Sequence, residues 1–457
     1  MLNPREVFTA QDARQIVEER NLTHVKVGIF DMDGVMLGKY MSRSKFFSAL
    51  EQGFTFCDVI LGWDTKDKLY DNSRYTGWHT GYPDTSVRII PHSCRELPFE
   101  DNQLLFMAEF AGSAEAICPR AVLRRVIEKA AAMGFEAHAA FEYEFFLFDE
   151  TPQSIRQKRF HDLKPITPDF FGYSILRNSV YAELYHAILD MGEVMDFPIE
   201  GLHAETGPGV IEAAITVDKA EKAADKAALF KTFMKVLAQR NNMMATFMAK
   251  WSSHYPGQSG HIHASLQYKD GSGSAFYDPA NSFNMSTIQR HFLAGQQKLM
   301  PEFLALISPT INSYKRLIPG FWAPTEATWG VENRTTALRV IPGSDKSQRI
   351  EHRLGSADAN PYLALAAALG SGLYGIEQEL EPSPQTQGNS YVQQHDEELA
   401  LPRTLWEASQ RLKHSKIAHS LFGEEFVNHF VASREWEERE FRRHVSDWEL
   451  DRYFEII

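Results

Sequence analysis

The segment that most constrains this chain is residues 137–148, A-H-A-A-F-E-Y-E-F-F-L-F. Read as a strand, it puts Glu142 and Glu144 on one face and Phe141, Tyr143 and Phe145 on the other. Such a segment calls for a sheet with one apolar face and one charged face. Two carboxylates side by side among aromatic rings repel each other and lose hydration, and a bound divalent cation removes both costs. The alternative is a solvated strand face with ordinary exposed glutamates, and the dense aromatics weigh against it.

Other acidic and basic residues follow the same alternation. Glu205 and Glu212 flank the turn signal Thr206-Gly207-Pro208-Gly209, so a hairpin can bring the two carboxylates near one point. His261, His263 and Ser265 alternate in G-H-I-H-A-S-L and face one way; a satisfied histidine pair is the bland alternative. Glu351 and Arg353 share a face in R-I-E-H-R, where an exposed charged strand is the alternative. Fixed positive charge gathers in N-S-Y-K-R-L-I-P-G-F-W-A-P, with Lys315, Arg316 and the indole of Trp322, and again at Asn333, Arg334, Thr335 and Arg339. Oxygen-rich sites favour hard cations, so Mg²⁺ or Mn²⁺ is expected over Zn²⁺. Arginines beside them suit phosphate and carboxylate, and the combination is the equipment of phosphoryl transfer.

The 457 residues, 44% of them hydrophobic, suffice for a large core and two domains. A net charge of -13 argues against nucleic acid or an anionic membrane as the main partner. Cys57, Cys94 and Cys118 have no metal or redox spacing and fit a reducing cytoplasm. The polar, charged start is no secretory signal, and no uncharged apolar run reaches the ~18 residues of a membrane span. The expectation is a soluble intracellular protein. The first hundred or so residues read as short strands and turns, with strands at 25–30, 86–90 and 104–110. After a break at Gly112-Ser113, helices are expected from Pro119 to Gly134, at 220–240, from Pro361, and through the charged tail after Leu401. Strands are expected at 137–148, 245–250, 261–266, 336–341 and 348–353, and loops at 269–284 and 382–388.

One motif points elsewhere. G-I-F-D-M-D-G-V, residues 28–35, looks like the opening of haloacid-dehalogenase-type phosphatases, where the first Asp of D-x-D-G is a nucleophile. That chemistry also needs a late acidic pair after a later strand, and the chain offers none.

Taken in order, D-x-D-G-V-M-L-G-K, E-Y-E-F, E-T-G-P-G-V-I-E, A-T-F-M-A-K, H-I-H-A-S-L, N-S-Y-K-R-L-I-P-G, N-R-T, R-I-E-H-R and A-N-P-Y-L-A make the chain resemble the glutamine synthetase superfamily over almost its whole length. The resemblance implies an α+β fold: an N-terminal β-grasp domain, residues 1–112, and a catalytic domain, residues 113–457, with an antiparallel sheet and helices. It implies active sites between subunits of a homo-oligomer of stacked rings, commonly a dodecamer of two hexamers. Matched motif to motif, Glu144, Glu205 and Glu212 look like ligands of one metal, and Glu142, His261 and Glu351 like ligands of another. Arg316 and Arg353 resemble the pair that holds L-glutamate, with Gly257 as a backbone contact. Arg334 resembles the arginine at the transferring phosphoryl group, and Glu212 counts with it as catalytic. Glu200, His263, Ser265, Arg339 and Lys346 fall where the family binds ATP, and Tyr173 resembles its tyrosine near the acceptor nitrogen. The implied reaction forms γ-glutamyl phosphate, which a nitrogen nucleophile then attacks.

The chain departs from the ammonia-using pattern P-G-[YF]-E-A-P, because Trp322 stands where the flap acid would be. An indole offers a flat apolar surface to a carbon-bearing amine. The aromatic slot and W-G-x-x-N-R-T, Trp329 to Thr335, resemble γ-glutamyl-amine ligases such as glutamylpolyamine synthetase-like enzymes. Val210 replaces a common Gln, which either reshapes the pocket or changes packing. The expected activity is an ATP-dependent glutamate–amine ligase of amine or polyamine catabolism, with glutamine synthesis from ammonia as the alternative. A polyamine would want acids at the pocket mouth, and a monoamine apolar walls; Asp64 and Asp84 are candidates to reach a neighbour's pocket.

Overall fold

The computed structural model describes residues 2–457. Its strands form two sheets. The first runs, edge to edge, Met36–Ser42, His24–Phe30, Leu104–Phe110, Asp84–Ile89 and Phe54–Cys57, with Arg95–Glu96 added on Leu104–Phe110. His24–Phe30 and Leu104–Phe110 pair in parallel, while the other neighbours are antiparallel. The helix Arg43–Gln52 lies on this sheet and buries Phe46 against Phe106, ring centroids 4.7 Å apart. The reading of strands and turns alone misses this helix and Ala10–Glu19. The second announces itself by Thr9 and Asp12, which cap each other's backbone N–H in a capping box.

The second sheet has nine strands. Its path is Trp329–Val331, Leu338–Ile341, Arg349–His352, Gly260–Tyr268, Phe135–Phe148, Val210–Ile215 and Ile199–Ala204. Asp218–Lys219 and Met244–Thr246 also pair with Phe135–Phe148. Every pairing is antiparallel except Trp329–Val331 with Leu338–Ile341. The strand expected at 245–250 is therefore short. Its remainder turns away, because Lys250 N–H donates to Asn312 Oδ1 and Asn312 Nδ2 returns a bond to the Lys250 carbonyl.

Along Phe135–Phe148 the odd positions through Phe145 are buried and the even positions through Glu144 are half-exposed. The buried face meets the helices Pro119–Ala132 and Ala220–Arg240, with Pro361–Glu377 behind them. The helix Thr287–Ile307 crosses Pro361–Glu377 at backbone contact. A Cβ on Gly295 would sit 2.2 Å from the Ser371 carbonyl oxygen and 2.6 Å from Gly375 Cα. The other sheet face stays open, and it carries the charged residues.

The D-x-D-G turn is a joint, not a nucleophile. Asp31 Oδ1 accepts from the N–H groups of Asp33 and Val35, at 2.9 and 2.8 Å. Asn360 donates to the carbonyls of Asp31 and Met32, and Asp33 pairs with buried Arg434 of the helix Glu424–Phe441 at 2.8 Å. Cys57, Cys94 and Cys118 are unpaired. Among the described residues, no helix is long and apolar enough to cross a membrane.

Candidate active site

A cavity of about 640 Å³ opens on the charged face of the nine-stranded sheet. All six expected metal-binding residues line it: Glu142, Glu144, Glu205, Glu212, His261 and Glu351. Strand register explains how. Glu144 lies directly opposite Glu212, and Glu142 directly opposite His261. Glu205 differs from the rest, because it sits in the turn after Ile199–Ala204 rather than on a strand. The hairpin then brings it to the Glu144–Glu212 pair.

Like charges facing each other across a sheet are destabilising unless something intervenes. Burial pushes Glu144 up from the ordinary carboxylate range, opposed by the Ser259 N–H and Arg316 and reinforced by Glu205. Burial and the neighbouring Glu212 push Glu205 up as well. Glu205 Oε2 and His261 Nε2 are buried with no hydrogen-bond partner. Such orphaned atoms are costly, and a cation would satisfy them. Five carboxylates and one imidazole suit a hard divalent ion, so the residues fit the metals the resemblance implies.

The second half of the cluster is held by cations. Glu351 is buried and pairs with Arg353 and with Arg339, the latter at 2.9 Å. Its carboxyl is held down to about 2 against the cost of burial, chiefly by Arg353 and then by His261 and His263. His261 Nδ1 is 3.3 Å from Glu351 and 3.8 Å from Glu142. His263 joins the same group: its Nε2 is 3.2 Å from Glu142, and one atom each of Glu142, His263 and Glu351 lie within 4.8 Å of one another. The separation of His261 from His263 in the sequence reading is thus not spatial. Arg349 Nε donates to His263 Nδ1 at 3.1 Å, which leaves the proton of the neutral ring on Nε2, facing Glu142. Nε2 of His261 and Nε2 of His263 are both buried without a hydrogen-bond partner.

Arg316 and Arg353 line the cavity and are buried. Arg316 donates to the carbonyls of Leu354 and Arg353, both at 3.1 Å, and burial pushes it down to about 10. Gly257 also lines the wall, and a Cβ there would meet the Ala249 carbonyl oxygen and Arg316 Cγ, both at 2.6 Å. Arg334 is exposed, lines the cavity, and makes no hydrogen bond or ion pair among the described residues. Its loop is fixed by its neighbours: Asn333 donates to the Gly388 carbonyl and accepts from Thr335. Trp322 and Tyr173 stand at the mouth. Lys315 does not face the cavity; it is exposed, with its Nζ 6.0 Å from the ring centroid of Phe441.

The expected nucleotide residues divide. Glu200, His263, Ser265 and Lys346 line a second cavity of about 290 Å³, whereas Arg339 lines the first. Glu142 borders both. Sequence reasoning missed two residues. Arg349 lines the second cavity, and it alternates with Glu351 and Arg353. His203 lines the first, with its ring nitrogens 3.9 Å from Glu205 and 3.6 Å from Glu212, and its ring stacks on Tyr173 at 4.4 Å. The pattern H-x-E in G-L-H-A-E carried that signal.

A carboxylate-lined cavity ringed by arginines on an antiparallel sheet matches one known architecture. Residues 116–453 match the model of the family described as "Glutamine synthetase, catalytic domain". The chain belongs to the glutamine synthetase family and is a carbon–nitrogen ligase. It is 44% identical over 95% of its length to type-1 glutamine synthetase 2 of Dictyostelium discoideum, covering 84% of that protein. It is 35% identical to a glutamate–isopropylamine ligase of a Pseudomonas species, with 97% of each chain covered. The solved structure of GmaS without ligand superposes with a TM-score of 0.83 over 97% of this chain and 99% of that one, at 24% identity, which speaks to fold alone.

Proposed function

We propose that this protein joins the γ-carboxylate of L-glutamate to an organic amine at the expense of ATP. The observation that carries the reading is Trp322, an indole at the cavity mouth where an ammonia-binding acid would stand. The end-to-end likeness to a glutamate–isopropylamine ligase supports it.

In the first step a γ-carboxylate oxygen attacks the γ-phosphorus of ATP, and the P–O bond to ADP breaks. In the second the amine nitrogen attacks the γ-carbonyl carbon of γ-glutamyl phosphate. The C–N bond forms, the C–O bond to phosphate breaks, and the nitrogen gives up a proton. Arg316 and Arg353, with Gly257, hold glutamate, and Arg334 meets the phosphoryl group in transfer. Glu200, His263, Ser265 and Lys346 hold the nucleotide, with Arg339 acting from the first cavity. Glu144, Glu205 and Glu212 hold one Mg²⁺ or Mn²⁺, and Glu142, His261 and Glu351 a second. Bound metal supplies charge neutralisation at the phosphoryl oxygens.

In this reading residues 1–112 form the β-grasp domain and 113–457 the catalytic domain, a division supported by two sheets that share no strand. The working form is a ring assembly, up to a dodecamer, with sites between subunits. Exposed apolar side chains at Ile175, Leu176, Val180, Phe454 and Ile456 suit burial in such contacts. Three unpaired cysteines fit the cytoplasm.

The 44% identity to a protein named a glutamine synthetase favours a second reading, ammonia as the acceptor. The test is phosphate release with ATP, Mg²⁺ and glutamate against ammonia and a panel of amines. We expect organic amines to lead, and Trp322→Glu to shift the preference towards ammonia. Ammonia leading with the wild-type protein would overturn the proposal.

A further inference from the structure

Resting on that reading, we infer that the acceptor is a primary monoamine with an uncharged, apolar carbon substituent, and not a diamine or polyamine. Three observations converge on this. The first is an apolar wall. Phe146, Phe148 and Val210 form a small cluster apart from the main core, extended by Trp251 and Tyr255, and it reaches the cavity at Phe146 and Val210. Val210 is 5% exposed and lies opposite Phe146 in the sheet, so the residue that replaces the common Gln is both packing and pocket wall.

The second is an aromatic mouth. Trp322 and Tyr173 both have φ of +58°, a region that bulky side chains rarely occupy. Both rings remain largely exposed, at 57% and 69%, although each borders the cavity. They offer flat apolar faces that an alkyl or aryl substituent would cover.

The third is charge. Among the described residues, every carboxylate lining this cavity belongs to the five-glutamate cluster, so this chain offers no separate acid for a distal ammonium. Asp64 is occupied: Oδ1 accepts from the N–H groups of Lys66 and Lys68, and Oδ2 from Trp436 Nε1. Asp84 accepts from Thr55. The free charge at the rim is of the wrong sign. Arg334 is exposed there and makes no ion pair among the described residues. A second ammonium would lose water against an apolar wall and meet like charge.

The experiment measures kcat/KM for propylamine, isobutylamine, 1,4-diaminobutane, spermidine and ammonia on the full-length protein with saturating ATP, Mg²⁺ and glutamate. We expect the two monoamines to exceed 1,4-diaminobutane by at least about tenfold. Trp322→Ala should lower the propylamine-to-ammonia ratio of kcat/KM by about tenfold, and Trp322→Phe should retain most of it. The ratio is independent of how much variant folds. Diamines equal to or ahead of monoamines would overturn this inference and leave the amine-ligase reading standing. Ammonia ahead of every amine would overturn both.

Discussion

Gly257 shows how one missing side chain shapes the end of the cavity proposed to hold glutamate. Its Cα faces the Ala249 carbonyl and the stem of Arg316 with no room for a Cβ. Gly257→Ala must therefore displace either the backbone or Arg316. Initial-rate kinetics should show KM for glutamate rising about tenfold, because a shifted guanidinium loses its bidentate fit. An unchanged KM would mean that Arg316 does not hold glutamate. At this scale much was legible in the chain. Strand periodicity alone put Glu142 and Glu144 on one face and paired Glu351 with Arg353. What it could not give was register: only the pairing of Glu144 with Glu212 shows which acids meet, and only the Asn333 bonds show what fixes the loop that carries Arg334.

At the level of elements, the carboxylate pair Glu144–Glu212 costs the sheet stability when no cation is bound. Glu144→Gln should stabilise the chelator-treated protein by about 1 kcal/mol and shrink the melting-temperature gain on adding Mn²⁺. Thermal melts with EDTA and with Mn²⁺ test this. An undiminished Mn²⁺ gain would exclude Glu144 from the metal set. The elements that the sequence hid were hidden for a physical reason. Thr287–Ile307 buries Gln289, Gln296 and Gln297 and contains Pro301, so its apolar stripe is broken in the text. In space each amide nitrogen finds a distant carbonyl: Gln289 that of Arg349, Gln296 that of Ala368 and Gln297 that of Ala327. Long-range partners of this kind leave no local trace.

Across the molecule, the joint between the first sheet and the catalytic unit is an ionisable one. Burial, and then repulsion from Asp33, push Asp31 up to about 8, against help from the Val35 and Asp33 N–H groups and from Arg434. An unfolded aspartate loses its proton near pH ~4. Between there and about 8 the fold keeps a proton that the unfolded chain has shed, so stability falls as pH rises through that window. Asp31→Asn keeps an oxygen for the turn and removes the titration. Urea unfolding at pH 5.5 and 7.5 should show the wild type losing on the order of 2 kcal/mol and the variant much less. Equal pH slopes for both would exclude Asp31 as the cause.

Glu142 is a party wall between two chambers. Whatever fills one changes the charge that the other presents, so loading on the two sides is coupled, and by the same factor in both directions. A tenant in the smaller room thus sets the terms on which the larger one is let.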